Sequence, residues 1–111
     1  MLGAYLYSLI PNCKPISFQT LEAICQIPDL NLDHLDAYGA PAIHYVAALR
    51  HIDNSDISRV YSMLVKAGAN INILDRKRKD ALRLCLYYKG PNQLLLQTFM
   101  NHGFILGKIR I

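Results

Sequence analysis

The 111-residue chain has no tryptophan, only three cysteines, and only 18% charged residues. Cys13, Cys25 and Cys85 are odd in number and widely separated, and none stands in a Cys-x-x-Cys spacing. That pattern excludes a disulfide framework and a structural zinc site, and the expected setting is a reducing compartment. The uncharged stretch Met1 to Cys13 is shorter than the roughly 18 apolar residues of a membrane span. It also lacks a basic start, so neither a span nor a signal peptide is expected. No Gly-x-Ser-x-Gly elbow and no phosphate-cradling glycine loop occurs, and no cysteine has a histidine placed to activate it. His34, His51 and His102 share no helix face with a carboxylate or thiolate, so no metal and no cofactor are expected.

Hydrophobic residues make up 52% of the chain, the composition of one folded domain rather than a disordered segment. Lys and Arg outnumber Asp and Glu by 12 to 8, and Arg76-Lys77-Arg78-Lys79 alone carries four positive charges. The rest of the chain is close to neutral.

Apolar spacing outlines helices. Ala4 to Ile10 is a short apolar segment ended by Pro11, and Phe18 to Gln26 places Phe18, Leu21, Ile24 and Cys25 on one face before Pro28. Pro41 is expected in the first turn of a helix whose stripe is Ile43, Val46, Ala47 and Leu49. After a polar loop over 50–56, a helix capped by Ser55, Asp56 or Ser58 carries Ile57, Val60, Tyr61, Leu64 and Val65, and Gly68 ends it. Asn70 to Leu74 alternates polar and apolar residues and leads to a basic hairpin tip. A helix over Asp80 to Tyr88 then turns at Gly90-Pro91 and returns through Leu94, Leu95, Phe99 and Met100 to Gly103.

Two strings carry an internal echo. Asp36 to Ala47 reads DAYGAPAIHYVA and Val60 to Asp75 reads VYSMLVKAGANINILD, after which Asp75, Leu82 and Cys85 stand where Asp36, Ile43 and Val46 stood. In this the chain resembles the ankyrin repeat, whose period is roughly 33 residues. Asp36, Gly39, Ile43, His44 and Ala47 match the opening of its inner helix, and Val60, Leu64, Val65, Gly68, Ala69 and Asn72 its outer helix and turn. The Thr-Pro pair is replaced by Pro41-Ala42 and, one unit on, by Asp80-Ala81, where Arg78 and Arg83 also replace the glycine and histidine. The spacing from Asp36 to Asp75 exceeds the family period by about six residues, assigned to the 50–56 loop.

The resemblance implies an all-α ankyrin-type solenoid with short hairpin turns, in units of approximately 1–35, 36–74 and 75–111, the outer two degenerate. The end units are either caps or the flanks of a longer array. It also implies a non-catalytic protein-binding module that works through hairpin tips and the concave inner-helix face. Family contact positions fall on Ala37, Tyr38, Ala40, Ala48 and Leu49, then on Arg76, Lys77, Lys79, Tyr87 and Tyr88. The second group suits a protein with an acidic patch. The plainer reading is a solvated tip, with Tyr87 and Tyr88 filling a groove against the last helix. Asp36, Gly39, His44, Gly68, Asn72, Asp75 and Gly103 are turn and bracing residues, His44 tying neighbouring tips. A localised tip without a reading helix argues against nucleic acid, though four basic residues in a row also suit nuclear import. The other readings are a spacer within a larger protein and a microbial effector that engages host proteins.

Overall fold

The computed structural model describes Leu6 and residues 17–27, 31–49 and 52–104. Apart from Leu6, which is helical and buried, the expected first helix lies outside the described residues, as does the tail after Phe104. Those described form five α-helices, α1 (Phe18–Cys25), α2 (Ala42–Tyr45), α3 (Asn54–Lys66), α4 (Ala81–Lys89) and α5 (Gln93–Asn101), with no strand among them. A 3-10 turn, Val46–Ala48, continues α2.

Four of the five start on a side-chain cap. Ser17 accepts the Thr20 amide, Asp53 that of Asp56, Asp80 that of Arg83 and Asn92 that of Leu95, at 2.8 to 3.2 Å. Each cap satisfies an amide that the helix leaves unpaired and contributes about 1 kcal/mol. The exception is α2, where Pro41 is extended and lies just outside the helix rather than in its first turn.

Two expectations need correction at α3. Its cap is Asp53, not Ser55, Asp56 or Ser58, because the Asp53 carboxylate gathers both the Asp56 amide and the Ser55 hydroxyl. These hydrogen bonds also hold its pKa below the ordinary carboxylate value. Residues 54–56, expected in the loop, instead open the helix, which begins at Asn54. In α5 the buried side chains are Leu95, Thr98 and Phe99, whereas Leu94 and Met100 face outward.

The core lies between α2 with its 3-10 turn, α3, α4 and α5. Its centre is aromatic. The Tyr61 and Phe99 rings meet edge to face at 4.9 Å, and Phe99 meets Phe104 at 5.5 Å. Each such pair adds about 1 kcal/mol beyond area burial. The Tyr61 hydroxyl reaches the Cys85 thiol at 3.0 Å, so the polar end of this buried ring is not left unpaired. Burial raises the pKa of both groups. The radius of gyration is 12.9 Å, close to the roughly 13 Å of a compact domain this size. No described helix is long and apolar enough to cross a membrane.

One set of local bonds occurs twice, 39 residues apart. The Asp36 carboxylate accepts the amides of Tyr38 and Ala40, and the Asp36 amide donates to the Ala40 carbonyl. The Asp75 carboxylate accepts those of Lys77 and Lys79, and the Asp75 amide donates to the Lys79 carbonyl. Gly39 and Arg78 occupy the same register, both in the left-handed region, at φ 80° and 63°. Upstream, Asn31 accepts the Asp33 amide as Asn70 accepts that of Asn72.

Candidate functional site

The two tips are tied by backbone bonds, and this tie positions the basic cluster. The Arg76 amide donates to the Gly39 carbonyl at 3.0 Å, and His44 Nε2 lies 2.8 Å from the Lys79 carbonyl. In the segments that lead to the tips, the Asn70 amide donates to Asp33, and the Asn72 side chain donates to the Gly103 carbonyl.

Burial lowers the pKa of His44, and its imidazole is neutral at pH 7. Its Nε2 is then an N–H donor to Lys79, while Nδ1 is buried without a hydrogen-bond partner. Pro41, three residues upstream, has no side-chain polar group. Its counterpart Asp80 caps α4 through one oxygen and leaves the other, Oδ2, buried and unpartnered.

Burial raises the pKa of Asp36, but the Tyr45 hydroxyl, the amides of Ala40 and Tyr38 and the Arg76 charge together outweigh it, and the net pKa falls. The Arg76 stem lies over Gly39, so close that a β-carbon there would stand 2.6 Å from Arg76 Cδ. Arg76 is thus a brace between tips as well as an exposed charge.

Beside the second tip is a cleft of about 370 Å³ lined by Asp75, Lys77, Lys79, Arg83, Leu84, Tyr87 and Tyr88. Tyr87 and Tyr88 are 80% and 56% exposed and stack edge to face at 4.9 Å. They do not fill a groove against α5, which corrects the plainer reading of that pair. The cleft offers three cations, two phenol rings and Leu84, with one carboxylate, Asp75, that accepts the Lys77 and Lys79 amides, and the excess of cations suits carboxylates flanked by apolar groups.

The contact positions expected from the sequence divide. Lys77, Lys79, Tyr87 and Tyr88 converge on this cleft, Arg76 lies beside it on the tip, and Tyr38 is exposed on the first tip. Ala40 is half-buried between the tips. Leu49 is a correction: at 3% exposure it belongs to the core. The 3-10 turn tightens the end of α2, and Leu49 then turns extended, which points its side chain inward. Its carbonyl accepts the Lys89 ammonium at 2.7 Å.

Arg83 and Leu84 line the cleft without having been singled out. Their signal was present in the spacing, since Arg83 and Tyr87, and Leu84 and Tyr88, are four apart on one helix. Among the described residues no three His, Cys, Asp or Glu side chains gather as a metal site, and Cys25 and Cys85 are free thiols, Cys25 only partly buried. No family model, no curated protein and no solved structure matches the chain.

Proposed function

We propose that the chain is an ankyrin-type stack of helical units that binds an acidic segment of another protein and carries out no reaction of its own. The carrying observation is the cleft at the second tip, where Lys77, Lys79 and Arg83 surround Tyr87 and Tyr88. Exposed tyrosines give large contact area at little entropy cost, and the cations select for carboxylates. The stacked arrangement is supported by the bonds that recur 39 residues apart and by the ties that run from each tip to its neighbour. The free thiols are compatible with action in a reducing compartment.

The test is fluorescence anisotropy with labelled acidic peptides containing aromatic or aliphatic residues, against neutral peptides of the same apolar content. The double variant Lys77→Glu/Lys79→Glu is expected to lose about tenfold or more in affinity, with an unchanged far-UV circular dichroism spectrum. Tyr87→Ala is expected to weaken binding while keeping its salt dependence. Equal binding of acidic and neutral peptides, or an unaffected double variant, refutes the reading.

A further inference from the structure

The three cations of the tip cleft stand on roots that aspartates hold in place. The amides of Lys77 and Lys79 both donate to the Asp75 carboxylate, at 2.8 and 2.9 Å, and the Arg83 amide donates to the Asp80 carboxylate at 2.8 Å. The Lys79 carbonyl is held in turn by His44. Backbone that is already ordered leaves only the side chains to be fixed when a ligand arrives, which lowers the entropy cost of binding. Tyr87 lies one helical turn beyond Arg83, and Tyr88 one turn beyond Leu84, so the paired rings wall the same cleft.

Three positive charges face one negative charge here, so the lining of the cleft carries a net charge of +2. A carboxylate brings one charge and two oxygens in a plane, and it leaves half of that excess uncompensated. A phosphoryl group on a side chain brings a charge of about −1.5 to −2 at pH 7 and three acceptor oxygens, as many as there are cations. The planar fork of arginine and the point charges of lysine both suit it. A nucleic acid or an anionic membrane presents many phosphates to a spread of cations, whereas these cations meet in one place beside two exposed phenol rings.

We propose that the tip cleft takes a phosphorylated side chain of the partner, its phosphoryl oxygens on Lys77, Lys79 and Arg83 and its carbon chain or ring against Leu84, Tyr87 and Tyr88. The proposal rests on the reading of this cleft as the site for an acidic segment and adds that phosphorylation of that segment strengthens the contact. Phosphotyrosine fits better than phosphoserine, since its ring adds an aromatic contact with Tyr87 that a single methylene lacks.

The probes are labelled peptides of one acidic sequence carrying phosphotyrosine, phosphoserine or a charge-matched pair of glutamates at the centre, with a neutral peptide beside them, in anisotropy titrations against the full chain. The phosphotyrosine peptide is expected to bind about tenfold or more tighter than the glutamate-pair peptide, and inorganic phosphate to displace it better than chloride at equal ionic strength. Arg83→Gln, and separately Lys77→Ala/Lys79→Ala, should each reduce that preference to about threefold or less with an unchanged far-UV circular dichroism spectrum. Equal binding of the phosphorylated and glutamate-pair peptides overturns this proposal, and if all of these still exceed the neutral peptide the acidic-segment reading stands. A preference that survives in both variants overturns it too, as does displacement of the phosphopeptide by a single-stranded oligonucleotide or an anionic vesicle at a lower phosphate concentration. Tight binding of the phosphotyrosine peptide while the glutamate-pair and neutral peptides bind alike supports the phosphoryl site and overturns the broader reading.

Discussion

Gly39→Ala tests the junction between the two tips. At φ 80° a residue with a β-carbon costs about 1–2 kcal/mol in the folded state. The added carbon would also stand 2.6, 2.7 and 2.9 Å from Arg76 Cδ, Cγ and Cβ. Carbon atoms at rest sit roughly 3.5–4.0 Å apart, so the stem must move. Its outer atoms can swing, but its β-carbon is fixed by the 3.0 Å bond from the Arg76 amide to the Gly39 carbonyl. Overpacking of this kind costs about 1–3 kcal/mol, and the stiffer unfolded chain returns about 0.4–1 kcal/mol. The net expectation is about 2–3 kcal/mol, or a melting midpoint lower by roughly 10 °C for a domain of this size. Urea unfolding followed by far-UV circular dichroism measures it. Gly68→Ala is the control, since φ is 114° there and nothing lies within 4 Å of the added carbon. The double-mutant cycle isolates the contact with Arg76, and in an Arg76→Ala background the Gly39→Ala cost should fall by about 1 kcal/mol. Equal costs at Gly39 and Gly68, together with strict additivity to Arg76→Ala, refute the reasoning.

Three further outcomes are expected. Gly68→Val should destabilise by more than about 1 kcal/mol, because a branched side chain enters a left-handed turn, and an unchanged urea midpoint would contradict that. Asp36 has a folded pKa below its ordinary 3.8, so its contribution is present above pH 3.8 and is lost as pH falls toward the folded value. Asp36→Asn should accordingly weaken the fold at pH 7 and flatten the acid limb of a pH-stability series. His44 has a folded pKa below 6.5, so the unfolded chain takes up a proton first and stability declines as pH drops through 6.5 toward the folded value. His44→Gln should remove that step, seen as a smaller midpoint change between pH 7.5 and pH 5.5 on the scale of about one proton.

The helices were readable because their signals are local. Leu21 and Ile24, Ile57, Val60, Tyr61 and Leu64, and Leu82 and Cys85 recur at helical spacing, and all are buried. The cap of α3 was not readable: Asp53, Ser55, Asp56 and Ser58 are all competent, and the choice fell to the residue that captures two partners at once. Periodicity put Leu49 in the apolar stripe of its helix, in keeping with its burial, whereas the contact position implied for it by the resemblance is removed by that burial. Within the site, Lys77, Lys79, Tyr87 and Tyr88 were legible as types and positions, but their meeting in one cleft with Arg83 requires the tip to fold back over α4.

By itself the sequence determined an all-helical chain with two tips braced by Asp36 and Asp75, because period, cap and turn chemistry act over a few residues. The left-handed conformation of Arg78, at φ 63°, was not legible, because arginine there reads as a departure from the glycine of the first tip; the Asp75-anchored loop imposes it. Only the tertiary structure decided which apolar residues are covered. Ala47 and Leu86 stand 39 residues apart, in the register of Asp36 and Asp75, yet Ala47 is fully buried and Leu86 half-exposed, because α4 packs against the 3-10 turn that carries Ala47. Burial is a property of what packs opposite, and no local pattern encodes that.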